Sequence, residues 1–593
     1  MPAFDDSEHT NSVPDKLRLL QAAFQSGRFD LGMSLAESIK ETLRFERQVQ
    51  SPAEEPVVAA DRAIAVGELP GPWADWARGW KHCRVLDLFE TVGIERRGEP
   101  VDLAWAVLDS QATDLGRELR VARLDSAKGT LHELPSQVYA ESRGGGQRRC
   151  RLVFAADVPA HGQATYFVFH DNPHAERPDY TTDLHTAGEG YRLDIDNRHY
   201  QAQLSRQSGQ LERLIYKRQH GLELYAGGKG HGEPPGIDWA HDYVDRGGFQ
   251  KLRMRNWAEC PNYEVVRGPL CVQVRRWGFP HSPIHPVFTP SRIHMDQTYT
   301  FYAALPYFFK QSRFDVVADV DIEAMRDDEW VLSGYSFTDL LWIDAQGKIH
   351  EGPVPASEMT NLWGVGFYHA QSRDAFVALW LEHEGDGVSV SHGGAPTLHY
   401  DGHGQLWSRY PAERTSLKAG TSLRQRNAYL VSPYETEGGD RQIEQLRHRL
   451  LHPCDARAGE PPRVDAKSTV GTLARFGETR DTAPLKSAIW EALRGVRDEQ
   501  LYTIDANVVD MGYVYDVRER DGVVTVVVTM PHRGRPVIEF LESAGGGRVD
   551  EGIRERVARI AGVRDVLVEA TWNPAWSVSR LTDAGRRALG LDA

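Results

Sequence analysis

Residues able to do acid-base or recognition chemistry concentrate between His231 and Tyr302, in HGEPPGIDWAHDYVDRGGFQKLRMRNWAECPNYEVVRGPLCVQVRRWGFPHSPIHPVFTPSRIHMDQTYTFY. The stretch mixes Trp, His, Arg and carboxylates with Pro and Gly more densely than a packing core needs. Flat rings stack on sugar faces while Arg, Asp and His bond hydroxyls, so the mixture suits a cleft for a hydroxyl-rich ligand. A first group is Asp238, Trp239, His241 and Asp242, followed by Trp257, Glu259 and Tyr263. A histidine beside a carboxylate can act as general base or acid near neutral pH, which makes His241, Asp242 and Glu259 candidate catalytic groups. Trp239, Trp257 and Tyr263 are then candidate ligand contacts. The same IDWAHDY segment equally reads as a surface loop.

A second group is His281, His285, Arg292, His294 and Asp296. HSPIH sets two histidines four apart, but Pro283 and Pro286 forbid the helix that would align them on a metal. Arg292, His294 and Asp296 alternate along a strand and share a face, either ligand-facing or solvated. His294 joins the catalytic candidates, and Arg276 and Arg292 the binding ones. A third group supplies Trp363, His369, Glu382, Trp407 and Arg409 as further contacts, alongside Trp380, His383 and His392. His399 just before a DGHG turn and His403 within it come nearest to a metal pair, although no metal is expected. Nucleophile-elbow, P-loop and dinucleotide motifs are absent in their required strand-turn-helix setting.

Positioning these groups takes several domains, because 593 residues exceed a single ordinary core. A formal charge of -15 lacks the basic face that a general nucleic-acid or anionic-membrane binder needs. MPAFDDSEHTNSVPDK has no signal-peptide character, no apolar run approaches the roughly 20 residues that span a bilayer, and five cysteines lack CxxC spacing. A reduced, cytoplasmic protein is expected. The fold class expected is mainly β. Residues 1–50 form an acidic tail and helical hairpin, 51–79 a linker, 80–180 a small β-sandwich, and 181–452 a larger two-sheet domain. Residues 453–484 form a second linker and 485–593 a small α/β domain. The hairpin is a candidate for self-association.

NRHYQAQLSRQSGQLERLIYKRQHGLELY, GPLCVQVRR and SRIHMDQTYTFYAALPYFFKQSRFDV, preceded by LPSQVYAES and LVFAADVPAHGQATYFVF, resemble the super-sandwich of galactose mutarotase-like domains and of the C-terminal part of alpha-mannosidases. The likeness spans roughly residues 80–433 and implies a fold with a sugar-facing sheet. The mannosidase catalytic barrel is missing, so that hydrolysis is not implied.

Val496-Arg-Asp-Glu-Gln-Leu501, Asn507-Val-Val-Asp-Met-Gly-Tyr-Val-Tyr-Asp516, and Trp572, Pro574 and Trp576 resemble the motifs of PaaD-like iron-sulfur assembly domains. That family presents a cysteine after its hairpin, where a thiolate can ligate iron. This chain reads Pro531-His-Arg-Gly-Arg-Pro536, with Arg535 at the cysteine position. The resemblance therefore implies a docking module that does not itself ligate a cluster, or a loop that His532, Arg533 and Arg535 turn toward an anion. Two functional expectations follow. One is a sugar- or glycoside-recognising protein, with a lyase, epimerase or hydrolase step open. The other is a non-catalytic maturation factor for an iron-containing enzyme, its β domains binding client or substrate.

Overall fold

A computed structural model describes residues 13–48, 56–218, 223–225, 236–246, 251–257, 260–280, 291–332, 336–400, 404–462, 483–497, 507–520, 522–529, 552–570, 576 and 578–591. The fold is mainly β, as the short alternating runs require. Chain contacts divide it into two units, Met1–Leu184 with Gly190–Ala474, and Arg475–Ala593 with His185–Glu189. Among the described residues no helix is long and apolar enough to cross a membrane.

The first unit opens with helices Val13–Gln25 and Phe29–Gln48. They turn at Gly27, whose φ of 73° suits a residue without a Cβ, and Gly32 admits the Phe24 ring where a Cβ would lie 3.0 Å from it. A small sandwich follows. One sheet orders Ile64–Ala65, His82–Phe89, Gln163–His170, Arg120–Asp125 and Thr130–Leu134, and the other orders Arg96–Leu108, Gln147–Val158 and Ser136–Gly144. Leu86, Leu88, Trp105, Leu152, Phe154 and Tyr166 fill the space between. The stretch read as a second linker begins with a strand, Asp455–Gly459, which returns to pair with His82–Phe89. Cys454 and Ala456 pack on the sandwich core, a burial that local composition does not reveal.

The larger domain is organised by one sheet. It orders Asn262–Val266, Cys271–Gly278, Ile293–Tyr302, Tyr307–Val316, Ser422–Pro433, Asp374–Asp386, Gly364–Tyr368, Asp339–Ile343 and Ile349–Glu351. Its inner face shares a continuous core with three smaller sheets, through Trp257, Tyr299, Phe308, Trp330, Trp380 and Trp407. Its other face carries helix Gly439–Leu451 and meets the small sandwich. Gln137 fastens that junction by accepting from the Leu270 and Cys271 backbone N–H groups at 2.9 Å and donating to the Cys271 carbonyl at 3.0 Å. Gly268 leaves room for it, since a Cβ there would lie 2.3 Å from the amide carbon.

In the second unit the hairpin Val514–Arg520 and Val523–Val528 forms through Gly522 at φ 82°, and Asp565–Ala570 adds parallel to it after helix Ile553–Ala558. Ile489, Leu493, Val517, Val526, Ile553 and Val557 build its core. The motif residues have structural work: Asn507 accepts from the Val509 and Asp510 N–H groups, and Trp576 donates its indole N–H to the Met511 carbonyl at 2.8 Å.

Candidate functional site

Four adjacent strands of the large sheet carry two polar rows, one per face. Arg275, Thr298, Gln311 and Arg426 are cross-strand neighbours, and so are Arg276, Gln297, Ser312 and Gln425 one residue along. Side chains alternate along a strand, so the rows point oppositely.

The first row floors a cleft of about 590 Å³ against the small sandwich. Glu264, Gln273, Thr300, Tyr302, Tyr307 and Phe309 extend the floor, and Glu99, Asp102, Tyr139 and Arg151 form the facing wall. The wall is ordered by its own bonds. Tyr139 donates to Asp102 at 2.5 Å, Gln273 donates to the Tyr139 hydroxyl at 3.0 Å, and Arg151 meets Asp102 at 2.8 Å. Arg275 grips Asp296 at 2.6 Å, Arg426 reaches Glu382 at 3.3 Å and lies over the Phe309 ring, and Arg449 meets Glu99 at 3.4 Å. Each cleft arginine is thus paired with a carboxylate. The cleft offers aromatic edges and fixed donors and acceptors with little unpaired charge, a lining suited to a neutral polyol.

The second row faces a fully buried ionic cluster. Lys310 Nζ lies 3.3 Å from Asp238, 3.6 Å from Asp327 and 3.7 Å from Asp328. Asp238 also accepts from Tyr299 at 2.6 Å and Gln297 at 3.2 Å, Asp327 accepts from Gln425, and Asp328 accepts from the Trp330, Trp380 and Tyr429 side chains. Gln297 donates to His241 Nδ1 at 3.0 Å, which leaves Nε2 to carry the hydrogen toward Ser312 at 3.1 Å and Asp327 at 3.3 Å. Burial works against ionisation of all three aspartates. It keeps Asp327 and Asp328 above the ordinary carboxylate range, whereas the Lys310 charge and the Tyr299 hydrogen bond hold Asp238 below it. His241 is held neutral by burial and by Lys310.

Of the catalytic candidates, His241 and Asp242 are buried among protein groups and do not line the cleft, and Glu259 lies outside the described residues. Asp242 is clamped by Arg326, with Arg253 at 3.4 Å and Lys251 at 3.8 Å. His294 shares the cleft-side face with Asp296 as the alternation requires, but is only 3% exposed and packs on Phe279. Among the binding candidates, Trp239, Trp257, Arg276, Trp407 and Arg409 are buried, with Trp257 donating to the Phe279 carbonyl at 3.0 Å and Arg276 to the Ser208 carbonyl at 2.7 Å. Tyr263 is 48% exposed and stacks edge-on against Tyr191. Arg292 is exposed and donates to the Asp319 carbonyl at 2.9 Å. His369 Nδ1 accepts from the Ser372 N–H at 3.1 Å, capping a turn, and Trp363 stacks with His383. Glu382 belongs to the Arg426 pair. His399 is exposed; His403, His532, Arg533 and Arg535 lie outside the described residues.

Sequence reasoning passed over Asp102, Arg151, Gln273, Arg275, Thr298, Gln311 and Arg426 on the cleft, and Lys310, Asp327 and Asp328 inside. For Arg275 and Arg276 the only local signal is adjacency. Which of the two faces the cleft is set by register.

The four most buried cysteines have thiols that burial raises above their ordinary value, and Cys454 is pushed up to about 11. No cysteine follows Cys454, and the last 100 residues hold one histidine, His532. That donor set does not fit a thiolate-ligated cluster in the second unit. Among the described residues no group of three His, Cys, Asp or Glu could hold a metal ion.

The fold and the cleft define a protein that joins a large β super-sandwich to a small α/β domain. The iron-sulfur cluster assembly protein family matches residues 486–568. The Fe-S protein maturation auxiliary factor YitW of Bacillus subtilis strain 168 is 31% identical over 108 residues, 18% of this chain and 95% of that protein. The Fe-S protein maturation auxiliary factor of Porphyromonas gingivalis is 30% identical over 100 residues, 17% of this chain and 85% of that protein. Through its C-terminal domain the chain belongs to the iron-sulfur cluster assembly protein family. An alpha-mannosidase from Enterococcus faecalis V583 is similar over 76% of this chain and 51% of its own length, at TM-score 0.40 and 11% identity. The chain thus spans about half of that enzyme.

Proposed function

We propose that this protein recognises a neutral, hydroxyl-rich ligand of the sugar or glycoside class in the cleft, and that its C-terminal domain docks it on an iron-containing client as a maturation accessory. The row Arg275, Thr298, Gln311 and Arg426 carries the recognition half, because it sets paired arginines and neutral hydrogen-bonding groups beside aromatic rings in a space the size of a small-molecule site. The accessory half is supported by relatives named as Fe-S maturation factors, whose nearly full length the C-terminal domain matches. In this reading the domain acts by contact, since its residues supply no thiolate to carry a cluster.

Two arms of one experiment test the halves. Anaerobically purified full-length protein is screened against glycans and glycosides, and a candidate client is co-expressed with and without the segment after Asp481. Saturable binding of an uncharged sugar, and a fall in client iron on truncation, are expected. No sugar hit removes the recognition half, and unchanged iron loading removes the accessory half.

A further inference from the structure

At the bulge in the middle of strand Asp374–Asp386, where the register shifts between Trp380 and Glu382, a second polar cluster gathers away from the cleft lining. Trp363 is its hub. The His392 ring lies 4.4 Å from it and the His383 ring 6.1 Å away and nearly parallel, and Arg447 of helix Gly439–Leu451 sits 5.3 Å above its face. The two histidine rings are 5.2 Å apart, and Arg409 lies 5.9 Å from the Trp380 ring, which is itself 5.9 Å from His383.

The nitrogens here outnumber their partners. Arg409 donates Nη2 to the Ser391 carbonyl at 2.6 Å and Arg447 donates Nη2 to the Trp380 carbonyl at 3.2 Å. His383 Nε2 meets the Asn427 amide oxygen at 3.1 Å. Arg409 Nε and Nη1, Arg447 Nε and His392 Nδ1 are buried atoms without a hydrogen-bond partner, whereas the neutral His383 donates through Nε2 and keeps a lone pair at Nδ1. Among the described residues neither arginine has a carboxylate within ion-pair distance, in contrast to every arginine of the cleft. Asp327 and Asp328, the acidic groups nearest Arg409 in charge, are already shared with Lys310. Unpaired buried donors and cations are costly, and an oxyanion offsets both costs together.

We propose that His392, Arg409 and Arg447, arranged around Trp363 with His383 stacked on its ring, form an oxyanion-binding site for a phosphate- or carboxylate-bearing ligand. Arg409 is fully buried, whereas Trp363, His383, His392 and Arg447 are only half-buried. Burial lowers both guanidinium groups to about 10, and burial followed by Arg409 drives His383 well below its ordinary value.

The test is calorimetric titration of the full chain with inorganic phosphate and, in a second arm, acetate, at ionic strength held constant with chloride. Wild type is compared with Arg447→Gln and His392→Asn, with Arg424→Gln, whose arginine pairs with Asp386 elsewhere on the surface, as control. Saturable binding by wild type and by the control is expected, weakened about tenfold or more by either site substitution, the loss of one charge-assisted bond. Phosphate binding alone points to a phosphorylated ligand, and acetate binding alone to a carboxylate. Near-ultraviolet circular dichroism confirms that each variant is folded, and His392→Asn, at the rim, stands if Arg447→Gln is not. No saturable binding of either anion, or equal affinity in wild type and folded site variants, overturns the site.

Discussion

The two faces of the same four strands answer opposite physical problems with nearly the same residue types. On the cleft side, Arg275, Thr298, Gln311 and Arg426 pair locally and keep part of their hydrogen-bonding capacity for a ligand. On the inner side, Arg276, Gln297, Ser312 and Gln425 each bond to buried protein groups, around Lys310 and three aspartates at no more than 1% exposure. A buried ionic cluster adds little net stability when intact but is expensive to leave incomplete. The inner face therefore specifies how the sheets meet, and the outer one is free to serve recognition.

The comparison breaks most sharply at Lys310. Lys310→Met leaves Asp238, Asp327 and Asp328 without their cation, and about 3–5 kcal/mol of stability is expected to be lost in urea unfolding. A loss below about 1 kcal/mol would mean that the inner charges are not coupled.

Acid tests the buried histidines of both faces. Burial, followed by Arg275 and Arg313, lowers His294 to about 3, while an unfolded histidine titrates near 6.5. Below the unfolded value the unfolded chain binds more protons, so His294 removes stability as pH falls. Between pH 7 and pH 5 it should contribute about 2 kcal/mol of that loss. The His294→Gln variant should show a correspondingly shallower decline in urea midpoints across this window, and an unchanged slope would place the titration elsewhere.

The smallest stability effect belongs to the cleft floor. Gln311→Leu should change stability by no more than about 0.5 kcal/mol. The same variant should weaken the sugar identified in the glycan screen about tenfold by calorimetry, as loss of one ligand hydrogen bond. A variant that unfolds, or that binds unchanged, would erase the distinction between the two rows.

Much of the architecture is legible in residue order because it rests on short-range periodicity. The helical hairpin, the strand alternation at Tyr200–Leu204 and Leu211–Tyr216, and the C-terminal hairpin at Gly522 all follow local patterns. The C-terminal motifs are legible for a further reason, since Asn507 and Trp576 make contacts the domain needs to close. The site is less legible. The polar richness around Trp239, His241 and Arg276 is visible in the sequence, but richness does not distinguish a ligand surface from a buried network of ion pairs and hydrogen bonds.

Composition and periodicity alone determined a mainly β chain, and the resemblance of its C-terminal motifs implied an assembly-type domain without the family's cysteine. They also marked the segments from which a polar site had to come. The tertiary structure decided which member of each neighbouring pair, Arg275 or Arg276, Thr298 or Gln297, Gln311 or Lys310, looks into the cleft. Strand pairing register and the docking of the small sandwich set that choice, and both depend on partners more than a hundred residues away, such as Gln137 against Cys271. A shift of one residue would exchange the two faces, which is why the chemistry of this protein lies in its pairing as much as in its sequence.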